Sequence, residues 1–228
     1  MRTFITLLSC RAKFLIIFLG LFGIASGVNA GPILSATSAQ INSGGPGSGS
    51  INDTLNQNGL AIGYTSGVTD FDSYIASNPS HTSTYSGFEW FSNPGSNSAS
   101  VTYNLGSLQT IDALALWNEE AAGIGVLDLF TSTDGINFSV LSLGLSPTDN
   151  SPYPAPYFAD VFSFSPISTQ YIRFDMSACP QQPANYTSCA IGEVAFRQGQ
   201  SNVPEPSAIT LLGLGLAGIG FSRKKKTA

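Results

Sequence analysis

Aromatic rings set beside amides and carboxylates are the residue types in this chain best suited to chemistry, and that chemistry is sugar recognition. One such cluster is Tyr85-Ser86-Gly87-Phe88-Glu89-Trp90-Phe91-Ser92-Asn93, and a second is Trp117-Asn118-Glu119-Glu120. Ring faces stack on sugar C–H groups while amides and carboxylates bond hydroxyls. Asn118 and Glu119, at the end of an apolar run, are the leading ligand candidates, joined by Trp90 and Tyr85. Trp90 and Trp117 are equally the large side chains that fill a β-sandwich core. Tyr153 and Tyr157 lie in a proline-rich stretch and are expected to face solvent.

Acid–base and nucleophilic catalysis find less support. His81 is the single histidine and sits in Asn78-Pro79-Ser80-His81-Thr82-Ser83-Thr84, which reads as a surface turn with no Ser/His/Asp motif around it. Glycoside hydrolysis needs two opposed carboxylates, and the many acids of this chain offer chance pairs without singling one out. The expectation is a non-catalytic protein.

Charge narrows the partners. Between Gly31 and Gln200 there are two arginines, Arg173 and Arg197, and no lysine, against thirteen acids. Such a surface repels nucleic acid and anionic lipid, whose phosphates are bound by lysine and arginine. Neutral glycans, divalent cations and cationic partners remain compatible, as does an acidic surface that serves solubility alone.

The elements that would position these residues are strands. Ser100-Val101-Thr102-Tyr103-Asn104-Leu105 alternates polar with apolar until Gly106-Ser107 interrupts it, and runs at 111–117, 125–131, 157–164, 170–176 and 190–197 follow. Asp134-Gly135, between Phe130 and Phe138, is a hairpin signal. No long 3.6-residue period occurs outside the two terminal apolar segments, so the fold class is all-β, an antiparallel sandwich. Residues 31–57 read as a flexible Gly/Ser-rich lead-in with the first strand or strands, 58–197 as the sandwich and 198–202 as a linker.

The ordered pieces Val101-Thr102-Tyr103-Asn104-Leu105-Gly106, Leu114-Ala115-Leu116-Trp117, Thr131-Ser132-Thr133-Asp134-Gly135-Ile136-Asn137-Phe138, Gln170-Tyr171-Ile172-Arg173-Phe174 and Ile191-Gly192-Glu193-Val194-Ala195-Phe196 resemble discoidin or coagulation-factor C-type domains. The resemblance implies a galactose-binding-like jelly roll that binds carbohydrate, or in some cases lipid headgroups, through loops at one end, without catalysis. It also implies a structural calcium ion held by an early loop and the glutamate of the last strand. Glu193 matches that glutamate, and Asp70 and Asp72 resemble the early loop, although the threonine and tryptophan that follow in the family are displaced here. Arg173, on an otherwise apolar strand, is a structural ion-pair partner or a ligand-binding residue.

The two ends carry addresses. Arg2, Arg11 and Lys13 precede an apolar stretch from Phe14 to Ile24, and Val28-Asn29-Ala30 offers small residues for a signal peptidase, so 1–30 reads as a secretory signal peptide cleaved after Ala30. Leu7-Leu8-Ser9-Cys10, an alternative lipoprotein box, lies ahead of the main apolar run. Removal of Cys10 leaves Cys179 and Cys189, an even pair that suggests a disulfide in an exported chain.

At the other end, Val203-Pro204-Glu205-Pro206 is kept extended by its prolines. The run from Ser207 to Ser222 would be roughly 24 Å long as a helix, short of a ~30 Å hydrocarbon core, with Arg223-Lys224-Lys225-Lys226 held on the cytoplasmic side. Gly213, Gly215 and Gly218 spell GxGxxG but lack the strand that a dinucleotide site requires. Residues 203–228 resemble the PEP-CTERM sorting signal of Gram-negative bacteria. That implies general secretion, transient anchoring in the inner membrane by a single membrane helix facing the periplasm, and processing by an exosortase in cells that make exopolysaccharide. The mature form would reach the cell surface or extracellular matrix, as a polysaccharide binder or, alternatively, a structural biofilm protein or a polysaccharide-modifying enzyme.

Overall fold

A computed structural model of the protein describes residues 31–181 and 187–199. The expected signal peptide, membrane helix and sorting signal lie outside the described residues. Among the described residues no helix is long and apolar enough to cross a membrane.

The described strands are β1 (Ile33–Leu34), β2 (Ser38–Ser43), β3 (Ser80–His81), β4 (Trp90–Phe91), β5 (Ala99–Asn118), β6 (Val126–Ser132), β7 (Ser139–Leu145), β8 (Tyr157–Ser177) and β9 (Ala190–Gln198), with one short α-helix, α1 (Phe71–Ala76), and a 3-10 turn at Ile51–Leu55. Every pairing among them is antiparallel, so the all-β antiparallel sandwich expected from the sequence stands. The runs at 100–105 and 111–117 are two halves of one strand, β5, and those at 157–164 and 170–176 are two halves of β8. Register shifts between Asn104 and Gln109, and between Ile111 and Ala113, bend β5 where Gly106 takes a φ of 83°, a value glycine adopts without steric cost.

The bend divides one sheet into two layers. The first half of β5 and the second half of β8 form the layer β2–β5–β8–β6–β7, with Thr102 opposite Gln40 and Arg173, and Phe130 opposite Arg173. The other halves run β1–β9–β5–β8, with Trp117 opposite Glu193 and Ala159. Between the layers lie Val101, Tyr103, Leu114, Leu116, Leu127, Leu129, Ile172, Phe174, Val194 and Phe196, all fully buried. Tyr103 reaches across to Phe196 edge-on, with ring centroids 6.2 Å apart, which fixes the layer spacing. Each such side chain contributes roughly 1.5–3 kcal/mol through burial.

The outer face of the second layer is small where α1 must approach. Ala113, Ala115 and Ala195 leave room for Phe71 and Tyr74, and these pack with Trp117 and Tyr157 into a second core. Asp70 caps α1 by accepting from the Ser73 N–H at 2.8 Å.

The lead-in carries the first two strands. β1 and β2 pair with β9 and β5. The turn at Ile51–Leu55 is closed by a Ser50/Asp53 capping box, and its buried Thr54 hydroxyl meets the Tyr103 hydroxyl at 3.0 Å. His81, expected in a surface turn, is fully buried in β3, and Tyr157, expected in solvent, is buried beside it with ring centroids 5.0 Å apart. Polar spacing around His81 imitated a turn, but pairing of Ser80 and His81 with β8 draws the segment inward. Tyr153 is exposed, as expected.

Candidate functional site

The ligand residues expected from sequence do not form an open site. Asn118 is fully buried and acts as a strut: its Nδ2 donates to the Thr148 carbonyl at 2.9 Å and to Gln181 Oε1 at 2.9 Å, while its Oδ1 accepts from the Ile124 N–H at 2.7 Å. Glu119 is buried and accepts from the N–H groups of Ala121 and Ala122. Trp90 is fully buried with its indole donating to the Pro46 carbonyl at 3.0 Å, and Trp117 does the same to Pro79 at 2.9 Å. These are corrections to the sugar-contact expectation, because a side chain enclosed by protein cannot stack on a sugar. Tyr85 is half exposed and packs edge-on against Phe91.

The expected calcium ligands do not converge. Asp70 Oδ1 is occupied as the α1 cap, and Asp72 lies 2.9 Å from the Arg197 guanidinium, which also holds Asp112 at 2.6 Å. Glu193 points into the second core, where Oε2 accepts from the Gln57 N–H at 2.8 Å and Oε1 has no partner. Burial pushes its carboxyl well above the usual carboxylate range. The trio Asp70, Asp72 and Glu193 therefore does not fit a calcium ion. The other expected pair, Cys179 and Cys189, is joined in a disulfide with Cα atoms 5.0 Å apart.

An open groove of about 600 Å³ lies instead across the outer face of the first layer, a size usual for small-ligand sites. Alternation along the strands points Gln40 and Asn42 of β2, Ser100 and Thr102 of β5, and Tyr171, Arg173 and Asp175 of β8 to this face. Asn42 Nδ2 donates to the Ser100 hydroxyl at 3.1 Å and the Thr102 hydroxyl at 2.8 Å, and Ser100 donates to Asp175 at 2.6 Å. The Arg173 guanidinium is held between the rings of Phe130 and Phe138, 4.4 and 4.8 Å from their centroids, with Asp175 3.1 Å from its Nε. That Nε is not aligned for a hydrogen bond to the carboxylate. Arg173 is thus an ion-pair partner that also lines the groove.

The Asp134-Gly135 turn forms one wall. Asp134 accepts from the Asn137 N–H and side-chain amide, from the Ile136 N–H and from the Ser132 hydroxyl, and these bonds hold its carboxyl far below the usual range. Gly135, at a φ of 74°, lets the Tyr171 ring lie close enough that a Cβ there would meet it at 3.3 Å. The aromatic and polar residues of the groove come from four separate strands or turns, so sequence reasoning had no way to assemble them. The outward alternation of β5 and β8 was the available signal.

A second arrangement is enclosed. Glu89, Glu119 and Glu120, each at most 3% exposed, bring carboxylate oxygens within 4.8 Å of one another at the end of β5. Tyr157 donates to Glu89 Oε1 at 2.7 Å, while Glu89 Oε2 and both Glu120 oxygens have no hydrogen-bond partner. Burial, together with the neighbouring carboxylates, raises the carboxyls of both Glu119 and Glu120.

Residues 202–224 match the PEP-CTERM protein-sorting motif. Comparison with curated proteins gives no match. Among solved structures, the chain is similar to a variant of chitosan-binding module 1 from a chitosanase/glucanase of Paenibacillus sp. IK-5, at 18% identity over 73% of this chain and 98% of that one, with a TM-score of 0.45. It is similar to the CBM32 of AlyQ in complex with 4,5-unsaturated mannuronic acid, at 16% identity over 72% and 96%, with a TM-score of 0.43. A Clostridium perfringens module, CpGH89CBM32-5, in complex with GalNAc-β-1,3-galactose, is 16% identical over 47% and 73%, with a TM-score of 0.36.

Proposed function

We propose that this protein is an exported, non-catalytic glycan-binding module, sorted by its C-terminal signal and using the outer-face groove as its binding surface. The observation that carries this reading is the groove's lining: the Tyr171 and Phe138 rings stand beside Asn42, Ser100, Thr102 and Asp175, so stacking surface and hydroxyl-bonding groups share one open cleft. With Arg173 paired to Asp175 the groove has little net charge, and the acidic surface around it disfavours polyanions, so the ligand class is a neutral glycan. The sorting motif supports an exported, membrane-anchored precursor. Its partners are then signal peptidase, the general secretion machinery and an exosortase, and its destination is the cell surface or an exopolysaccharide matrix.

Titration of the purified protein against neutral and acidic glycans tests the proposal. Saturable binding to a neutral glycan is expected, weakened at least about tenfold by Tyr171→Ala, which removes a stacking ring and costs on the order of 1.4 kcal/mol. A folded protein that binds no glycan returns the balance to a structural role in the matrix.

A further inference from the structure

We propose that Glu89, Glu119 and Glu120 ligate a divalent cation, calcium, that clamps the end of β5 to the segment preceding β4. Three carboxylates enclosed together repel one another and are costly to desolvate unless a positive charge or protons compensate them. Among the described residues no guanidinium is at hand: Arg173 is engaged with Asp175, and Arg197 with Asp72 and Asp112. His81 is the nearest basic side chain, with Nδ1 3.6 Å from Glu89 Oε1, but that nitrogen also lies 2.9 Å from the Thr82 carbonyl.

The independent observation is the orphaned oxygens. Glu120 is 97% enclosed, yet neither of its carboxylate oxygens has a hydrogen-bond partner, and Glu89 Oε2 is likewise unpartnered. Buried polar atoms are nearly always satisfied, so three orphaned oxygens in a group with one ligand atom from each residue within 4.8 Å point to an occupant that accepts them all. Calcium binds oxygen at about 2.3–2.6 Å, so ligands on opposite sides of the ion lie about 4.6–5.2 Å apart, which matches this spread. An all-oxygen set selects a hard cation over zinc or copper. The position differs from that of Asp70, Asp72 and Glu193, whose side chains are occupied elsewhere or turned into the second core.

The ion would join parts of the chain that are distant in sequence. Glu119 and Glu120 follow Asn118, whose side chain holds Ile124, Thr148 and Gln181, and Glu89 adjoins Trp90 in the main core. Binding of the ion therefore stabilises the whole loop end.

The test is thermal unfolding and metal analysis of the full-length protein, stripped with chelator and then titrated with calcium, magnesium or manganese chloride. Expected is one calcium per chain and a rise in Tm with calcium that Glu120→Gln removes, weakening calcium binding at least about tenfold, while Asp72→Asn leaves the response intact. Terbium luminescence of the wild-type protein, sensitised by the adjoining Tyr157 and displaced by calcium, gives a readout that does not need the variant to fold. Absence of bound metal and of any Tm response overturns the proposal. So does a calcium response retained in Glu120→Gln, or one lost instead in Glu193→Gln. A Glu120→Gln protein that is more stable, from a wild type indifferent to calcium, would show a cluster held by protons and would overturn it equally.

Discussion

Asn118 is the residue whose chemistry and role diverge most. An amide beside tryptophan and glutamate is the right set of groups for a sugar, but the same amide carries two donors and an acceptor, and here all of that capacity ties loops together. Asn118→Ala leaves the Ile124 N–H and the Thr148 carbonyl without this partner, and each orphan costs about 1–3 kcal/mol. The expected loss is about 2–6 kcal/mol, measured as a lower urea midpoint at unchanged slope, with the glycan binding proposed for the groove unaffected in the folded fraction. Tyr171 shows the opposite case: nothing in Gln170-Tyr171-Ile172-Arg173 marked the ring for binding, yet alternation along β8 places it on the open face.

Among elements, the β6–β7 hairpin was legible because its cause is local. Asp134-Gly135 forms the turn between β6 and β7 that its residue types indicate, since only a few residues tolerate a positive φ there. The continuity of β5 and β8 was not legible, because Gly106 ends a strand in isolation but only bends one that is paired on both sides of the break. The Cys179–Cys189 bridge is also an element-scale device, closing a loop with a sequence separation of 10. Chain-entropy reasoning gives such a loop about 2–3 kcal/mol. Reduction is expected to lower the unfolding free energy by that amount, read from the shift of the denaturant midpoint, and a midpoint unchanged by a reducing agent, with both thiols shown free, would refute it.

At the scale of the whole molecule, the domain is poor in cations and rich in enclosed phenols. Burial, reinforced by the charge of Glu193, pushes the Tyr64 and Tyr103 hydroxyls well above their ordinary value near 10, despite hydrogen bonds to Ser35 and Thr54 that act the other way. The folded state then holds these protons more tightly than the unfolded chain does. Their contribution is complete below about pH 10 and is lost as pH rises above it, at up to about 1.4 kcal/mol per pH unit for each tyrosine. Alkaline titration followed by tyrosine absorbance and circular dichroism should show ionisation of these groups coinciding with unfolding; phenols that ionise in a folded protein near pH 10 would contradict this.

The sequence by itself determined the quantities that depend on near neighbours along the chain: strand alternation, the Asp134-Gly135 turn, the cysteine pair, the acidic balance and the sorting motif at its end. Tertiary structure decided which polar side chains meet water. Asn118 was turned inward and Tyr171, Thr102 and Asn42 outward by strand register, which pairs residues of β5 and β8 up to 77 positions apart. A one-residue change of register exchanges the two faces of a strand, so the composition of a site assembled from four elements cannot be read along any one of them. The same holds for Glu89 and Glu120, which lie thirty-one positions apart in the chain and become neighbours only when β4 and the end of β5 both meet Ile191 of β9.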